Sequence, residues 1–511
     1  MSLPVSAAFS FTLNGKRLTI SGVDPNTTLL QFLRDDGWTG TKEGCAEGDC
    51  GACTVAVLDP ERRAFRAINS CLTLLPDLAG TEVITVEGVA SGFGRLHPVQ
   101  ERLIQFGGSQ CGYCTSGVVM SLFASYYGPR PVPAEDLAGN LCRCTGYLSI
   151  RRAAASLDQP APGDPFLVRL RDARPSNPAG PLSYTAGGRS YHRPTTLAEL
   201  FSLIERYPGA RLVAGGTDAC LQVTKAFRPF EELISLRHVA ELRQVACTQK
   251  AWEIGAAVTL AELEEFLNGE GCKNGMADGR SDACAAPYGR AQEQVEGHVR
   301  GEAQEELRSL FDLFPRFASR QIRNVATVGG NLVNASPVAD LPPLLLSLGA
   351  SVRLLSSRGE RVLPLDAFFT GYRRVALQPG EVLASVSIPR QKPSGTVRRL
   401  ARFYKVARRS HVDISIVSAA FCFDLDGDGR ILQARCAYGG VASTPRRAYR
   451  AEAALAGRPL DKATIEGVIP LLQSEFEPIS DLRAPAEYRR ALIVNLLCKF
   501  GYEEAHDRVG A

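Results

Sequence analysis

An α+β protein built from several domains is predicted by three features of the chain. At 511 residues it is too long for one core and corresponds to about three or four domains. Strand-like alternation and amphipathic helical spacing follow one another along its length. Eight of the 15 cysteines fall into two groups ahead of Thr145, most of them on glycine-bearing loops.

The composition narrows the function. A hydrophobic fraction of 45%, a charged fraction of 22% and a formal net charge of +4 are those of an ordinary soluble protein and exclude a polybasic nucleic-acid surface. No apolar run reaches the length of about 18 residues that a bilayer requires, and Met1 to Ala8 lacks the regions of a secretory signal. A reducing, cytoplasmic compartment is expected, where an odd number of cysteines favours metal ligation over disulfides.

Taken in order, residues 8–21 read as two strands around the hairpin signal Asn14-Gly15. Residues 28–35 have helical spacing with Thr27 or Thr28 as N-cap, and 54–58 read as a strand. A hairpin, a helix and a loop feeding a further strand make a small mixed sheet crossed by a helix. That loop carries Cys45, Cys50 and Cys53, with Cys71 beyond the next strand, in the spacing C-x4-C-x2-C-x17-C. This is the plant-type spacing of a [2Fe–2S] cluster. Zinc, a disulfide pair and buried structural thiols are the alternatives, and zinc sites instead pair two short C-x2-4-C elements. Gly44, Gly48 and Gly51 permit the sharp turn and let amide N–H groups face sulfur.

Beyond residue 86 the texture turns helical, first over 97–106 and then over 117–123. Cys111-Gly-Tyr-Cys114 and Cys142-Arg-Cys144 sit at turns beside these helices in the spacing C-x2-C-x27-C-x-C. Four such thiolates can close around iron–sulfur or zinc; C-x-C is rare in zinc sites, and the upstream motif favours iron. Two clusters in one chain imply a one-electron relay.

Residues 159–190, rich in Pro, Gly, Asp and Arg, read as a linker, and a new domain is expected from 191. A helix over 195–205 leads to the strand 211–214 and the turn Gly215-Gly216-Thr217-Asp218. Such a turn serves either as plain chain reversal or as a phosphate contact. A second glycine turn, Gly329-Gly330-Asn331, with Asn334, Ser336 and Asp340 nearby, favours a dinucleotide cofactor; no G-x-G-x-x-G occurs, so a non-Rossmann flavin domain fits better. Residues 268–303 read as a surface insertion whose Cys272 and Cys284 are free thiols, a third metal site being the alternative. From 398 a further α/β segment follows; Asp424, Asp426, Asp428 and Gly429 imitate an EF-hand start, but Arg435 at the twelfth position makes this a hairpin turn. Arg446-Arg447 and the helices after Ala451 read as a solvated face.

The two cysteine motifs, with Gly108-Ser-Gln-Cys-Gly-Tyr-Cys114 and Gly139-Asn-Leu-Cys-Arg-Cys-Thr-Gly-Tyr147, closely resemble the paired cluster domains of the molybdenum hydroxylases. Val213 to Asp218 and Gly329 to Asp340 resemble the FAD domain of that family. Clusters and FAD in one chain, with no molybdopterin segment following, are similar to the small subunits of bacterial xanthine dehydrogenases.

The resemblance implies a β-grasp [2Fe–2S] ferredoxin domain over 1–90 and a four-helix [2Fe–2S] domain over 91–158. It further implies a two-part α+β FAD domain (PCMH-type) over 191–392 and an α/β flavoprotein-type C-terminal domain over 398–505. Cys45, Cys50, Cys53 and Cys71 would hold one cluster, and Cys111, Cys114, Cys142 and Cys144 the other. Leu212, Val213, Ala214, Gly215, Gly216, Thr217, Asp218, Thr327, Gly330, Asn331, Asn334 and Asp340 would contact FAD, joined by Phe317, Leu383 and Lys405. Gln110 would approach the pterin of a molybdopterin-binding large subunit in an α2β2 heterotetramer, with NAD+ as acceptor. Ser116 departs from the family's Cys-Thr-Pro-Gly, which loosens a turn without removing a ligand. A related hydroxylase acting on an aldehyde or another N-heterocycle, a stand-alone NADH-dependent reductase and a zinc-stabilised interaction protein are the competing expectations.

Overall fold

Asn14 and Gly15 both adopt left-handed backbone, with φ of 51° and 81°, as a tight hairpin turn demands. They join strands Ala8–Leu13 and Lys16–Ser21, paired antiparallel from Leu13↔Lys16 to Ala8↔Ser21. The computed structural model describes residues 5–90, 95–128, 132–173, 180–268 and 307–506. The chain divides into two compact units, one of Met1–Ala240 with Ala318–Ala326 and another of Glu241–Phe317 with Thr327–Ala511.

In the first unit the hairpin belongs to a five-stranded mixed sheet, in the order Lys16–Ser21, Ala8–Leu13, Glu82–Ile84, Thr54–Asp59, Ala64–Asn69. Alternation along Ala8–Leu13 turns Phe9, Phe11 and Leu13 inward. Helix Leu29–Asp35, capped where the Thr28 hydroxyl accepts from the Gln31 amide, lays Leu29 and Leu33 on that face. This is the β-grasp.

Four helices follow, Pro98–Gln105, Thr115–Tyr126, Leu148–Ala155 and Pro165–Asp172, around a core that includes Val99, Phe123, Ile150 and Phe166. The fourth lies within 159–190, so that segment is not the plain linker expected from its composition. Pro165 there is a helix-starting residue, and Asp164 caps it by accepting from the amides of Phe166 and Leu167. Strands Leu182–Ala186 and Arg189–Arg193 also start before or across the expected boundary at 191; they join a sheet with Val5–Ser6, Glu232–Ser235 and Arg211–Val213.

In the second unit one antiparallel sheet runs Val245–Cys247, Ala251–Gly255, Val382–Pro389, Ser351–Ser356, Gly359–Pro364. A second runs Arg398–Val406, Val417–Leu425, Ile431–Gly439, Arg446–Arg447. Every residue of Val417–Leu425 is buried, because helix Leu341–Ser347 and helix Ala486–His506 both pack on it. Asp424 is therefore a strand residue whose carboxylate accepts from Arg399 Nε at 2.7 Å, and the turn begins at Asp426. Arg447 is likewise not part of a solvated face: it forks onto the buried carboxylate of Glu452 at 2.6 Å. The 268–303 segment with Cys272 and Cys284 lies, after its first residue, outside the described residues. Among the described residues no helix is long and apolar enough to cross a membrane.

Candidate electron-transfer centres

The loop from Gly44 to Cys53 wraps its own sulfurs. Ala46, Gly48 and Gly51 take φ of 55°, 85° and 67°, which turns successive amides inward. Cys45 Sγ accepts from the amides of Glu47 at 3.4 Å and of Asp49 and Cys50 at 3.3 Å, and Cys50 Sγ accepts from the Cys45 amide at 3.3 Å. A Cβ on Gly44 would lie 2.7 Å from Cys50 Sγ, so only glycine leaves room beside that sulfur.

The thiols meet two by two. Cys45 lies beside Cys50 and Cys53 beside Cys71, close enough for each to shift the other's ionisation; in the helical domain Cys111 neighbours Cys144 and Cys114 neighbours Cys142. One member of each pair is held toward the thiolate. Cys45 is lowered to about 5 by the Cys50 thiol, which outweighs burial, with help from the loop amides. Cys53 is lowered by Cys71, and Cys111 by the Tyr113 amide and then by Cys144. For Cys142 burial opposes the shift, but Thr145 and neighbouring amides bring it down to about 7. Cys114 is pushed up to about 12 by burial and by Cys142.

This arrangement fits diiron clusters, in which each iron takes two protein sulfurs. Cys111, Cys144 and Gln110 are exposed, whereas Cys53, Cys71 and Cys142 are buried.

The glycine turn after Arg211–Val213 lies in the same unit. A Cβ on Gly215 would stand 1.9 Å from the Val325 carbonyl, and Gly216 has φ +73°, so both positions require glycine. The carbonyl of Leu72, next to Cys71, lies against Gly216 and accepts from the Cys220 thiol at 3.3 Å. This contact was not anticipated from the sequence, where Cys220 carries no pattern.

In the second unit Gly329 and Gly330 are not a turn. They form the start of helix Val328–Val333, capped where the Thr327 hydroxyl oxygen accepts from the Gly330 amide at 3.0 Å. Gly329 allows that helix to rest on Ala256, whose carbonyl is 2.7 Å from where a Cβ would stand. Asn331 Oδ1 is buried with no hydrogen-bond partner among the described residues, an orphan that suits a ligand's donor. Asn334 Oδ1 accepts from Arg373, a contact that only the fold brings about. Asp340 and Lys405 are joined at 2.8 Å, both nearly buried, with Ser415 donating to Asp340 and Lys405 also donating to the Arg316 carbonyl. Phe317 and Leu383 are buried side chains of the same unit. Small residues at a helix start and an unpartnered buried acceptor fit part of a flavin site.

Four domain families match the chain: a 2Fe-2S iron-sulfur cluster binding domain over 11–76, a [2Fe-2S] binding domain over 85–155, the FAD binding domain in molybdopterin dehydrogenase over 184–391, and the CO dehydrogenase flavoprotein C-terminal domain over 402–504. Xanthine dehydrogenase of Emericella nidulans is 32% identical over 96% of this chain, and that of Oryza sativa subsp. japonica 31% over 97%. The chain spans 38% and 39% of those two relatives. A solved carbon monoxide dehydrogenase from Hydrogenophaga pseudoflava superposes with a TM-score of 0.50 at 24% identity, covering 60% of this chain and 94% of that one; it shares the fold.

Proposed function

The chain is an iron–sulfur and FAD chain of the molybdenum hydroxylase family, and on that premise we propose that it is the electron-transfer subunit of a xanthine dehydrogenase. In this reading a purine is oxidised on a molybdopterin-binding partner subunit, by the balance xanthine + H2O + NAD+ → urate + NADH + H+. Cys111, Cys114, Cys142 and Cys144, two of them exposed, would hold the cluster at which electrons arrive one at a time, and Cys45, Cys50, Cys53 and Cys71 would hold the one that receives them next. FAD, when bound, exchanges one or two electrons at a time and so joins this relay to hydride transfer to NAD+.

The observation that carries the reading is that one unit gathers eight thiols from four chain segments, with three amides turned onto Cys45 Sγ. The protein's own part is positioning. The amides of Glu47, Asp49 and Cys50 neutralise charge on Cys45 and favour the reduced cluster. In the first unit Gly215 and Gly216 leave their turn bare of side chains. In the second, Asn331 offers a flavin an acceptor and the Asp340–Lys405 pair keeps its two charges matched. Gln110 would face the partner's pterin, and the assembly would be an α2β2 heterotetramer. Purifying the native complex tests this: molybdenum, FAD and about four irons per chain are expected, with xanthine reducing NAD+ only when the partner is present. Xanthine oxidation by this chain alone would refute the division of labour.

A further inference from the structure

Within that relay, we propose that Asn140 and Gln321 are positioning residues for electron transfer between the two clusters. They hold the Cys50–Gly51 peptide segment against the loop that carries Cys142. The inference rests on the relay reading.

The seam between the two cysteine loops is made of backbone. The Leu141 amide donates to the Cys50 carbonyl at 2.9 Å, so a ligand residue of one cluster is hydrogen-bonded to the immediate neighbour of a ligand of the other. Two glycines, Gly51 and Gly117, leave room for the close approach of backbone to backbone. A Cβ on Gly51 would stand 2.1 Å from the Gly139 carbonyl, and one on Gly117 would stand 2.1 Å from the Gly51 carbonyl.

Glycines permit this contact but do not enforce it. Enforcement comes from two buried amides. Asn140 Nδ2 donates to the Gly51 carbonyl at 3.1 Å, and Asn140 Oδ1 accepts from Gln321 Nε2 at 3.2 Å. The same Gln321 nitrogen donates to Ser121 Oγ at 2.9 Å, which ties the pair to the helix Thr115–Tyr126. Gln321 and Asn140 are 0% and 2% exposed, and Gln321 Oε1 has no partner among the described residues. An apolar side chain would fill this space without that desolvation loss but could not specify one register of the two loops. Register matters because tunnelling falls exponentially with distance, so a displacement too small to unfold the seam still slows transfer. In the step itself one electron leaves the cluster of Cys111, Cys114, Cys142 and Cys144 and is taken up by that of Cys45, Cys50, Cys53 and Cys71. No bond to hydrogen or carbon changes.

The test compares the purified complex with its Asn140→Ala and Gln321→Met forms. Gln321→Met keeps the shape of the side chain and loses both donated bonds. Iron content, the electron paramagnetic resonance of the fully reduced clusters and the inter-cluster transfer rate after pulsed one-electron reduction are measured. Full iron, a weakened magnetic interaction between the clusters and a loss of inter-cluster transfer rate are expected. An unchanged interaction and rate in iron-replete Gln321→Met would overturn the inference alone. Two non-interacting clusters that exchange no electrons in the unaltered complex would overturn the relay, and the inference with it.

Discussion

Gly117→Ala sets two effects of known sign against each other. Gly117 lies inside helix Thr115–Tyr126, where alanine is favoured over glycine by about 1 kcal/mol on helix propensity. Its added methyl would stand 2.1 Å from the Gly51 carbonyl oxygen, against an ordinary contact of 3.4 Å, a shortfall of 1.3 Å from the difference of the two. The obstacle is main chain between Cys50 and Cys53, which cannot rotate away as a side chain would. Overpacking a fitted site typically costs about 1–3 kcal/mol, and a shortfall this large against backbone lies at the upper end. Sterics therefore win, with a net loss of roughly 1–2 kcal/mol. Urea titration followed by the visible absorbance of the clusters reads this locally, since a chain of several domains does not unfold in one step. Gly128→Ala is the control, because among the described residues its methyl would meet the Ser125 carbonyl alone, at an ordinary 3.4 Å. An iron-replete Gly117→Ala chain with an unchanged or higher midpoint would show that the seam is not close-packed.

Three further outcomes follow from the same geometry. Cys50→Ser should lower iron from about four to about two per chain and stop reduction of FAD by substrate while substrate still binds the partner; normal substrate-driven flavin reduction would refute the relay. Asn331→Ala should reduce FAD retention with little loss of chain stability, because Oδ1 has no hydrogen-bond partner among the described residues; equal FAD content would remove Asn331 from the flavin site. His97 is lowered to about 4 by burial, against an opposing pull from Asp164, and its Nε2 is bonded to the Tyr127 hydroxyl, which donates to Asp164. The unfolded imidazole takes up a proton near its ordinary pKa of about 6.5 while the folded one does not. Stability is thus complete above that value and declines as pH falls toward about 4. A His97→Gln chain should lose part of this decline between pH ~7 and ~5 in thermal melts, and an identical decline would assign it to other groups.

Much of the site was legible because its parts are local. Four thiolates at the Cys45 to Cys71 spacing allow few chemistries, and Asn14-Gly15 or Thr28 act on backbone within a few residues. Where context mattered, local reading failed. Residues 159–190 read as a linker, yet Asp164-Pro165 within them starts a helix, since Phe166 and Leu170 find an apolar core there. Gly329-Gly330 looked like a turn and is helical, since close packing on Ala256 and the Thr327 cap outweigh glycine's weak propensity. Asp424 looked like part of an acidic turn and is a buried partner of Arg399.

The sequence by itself set the spacing of the eight cysteines and the succession of cysteine-bearing and glycine-turn segments, because these depend on residue identity at short spacing. Tertiary structure alone decided which sulfur pairs with which, that the Cys50 carbonyl meets the Leu141 amide, and that Gln321, 181 residues from Asn140, is bonded to it. Such contacts join segments whose separation along the chain carries no periodic signal. They form where Gly51 and Gly117 let the backbones close on one another and Gly139 leaves room for the Gln321 side chain.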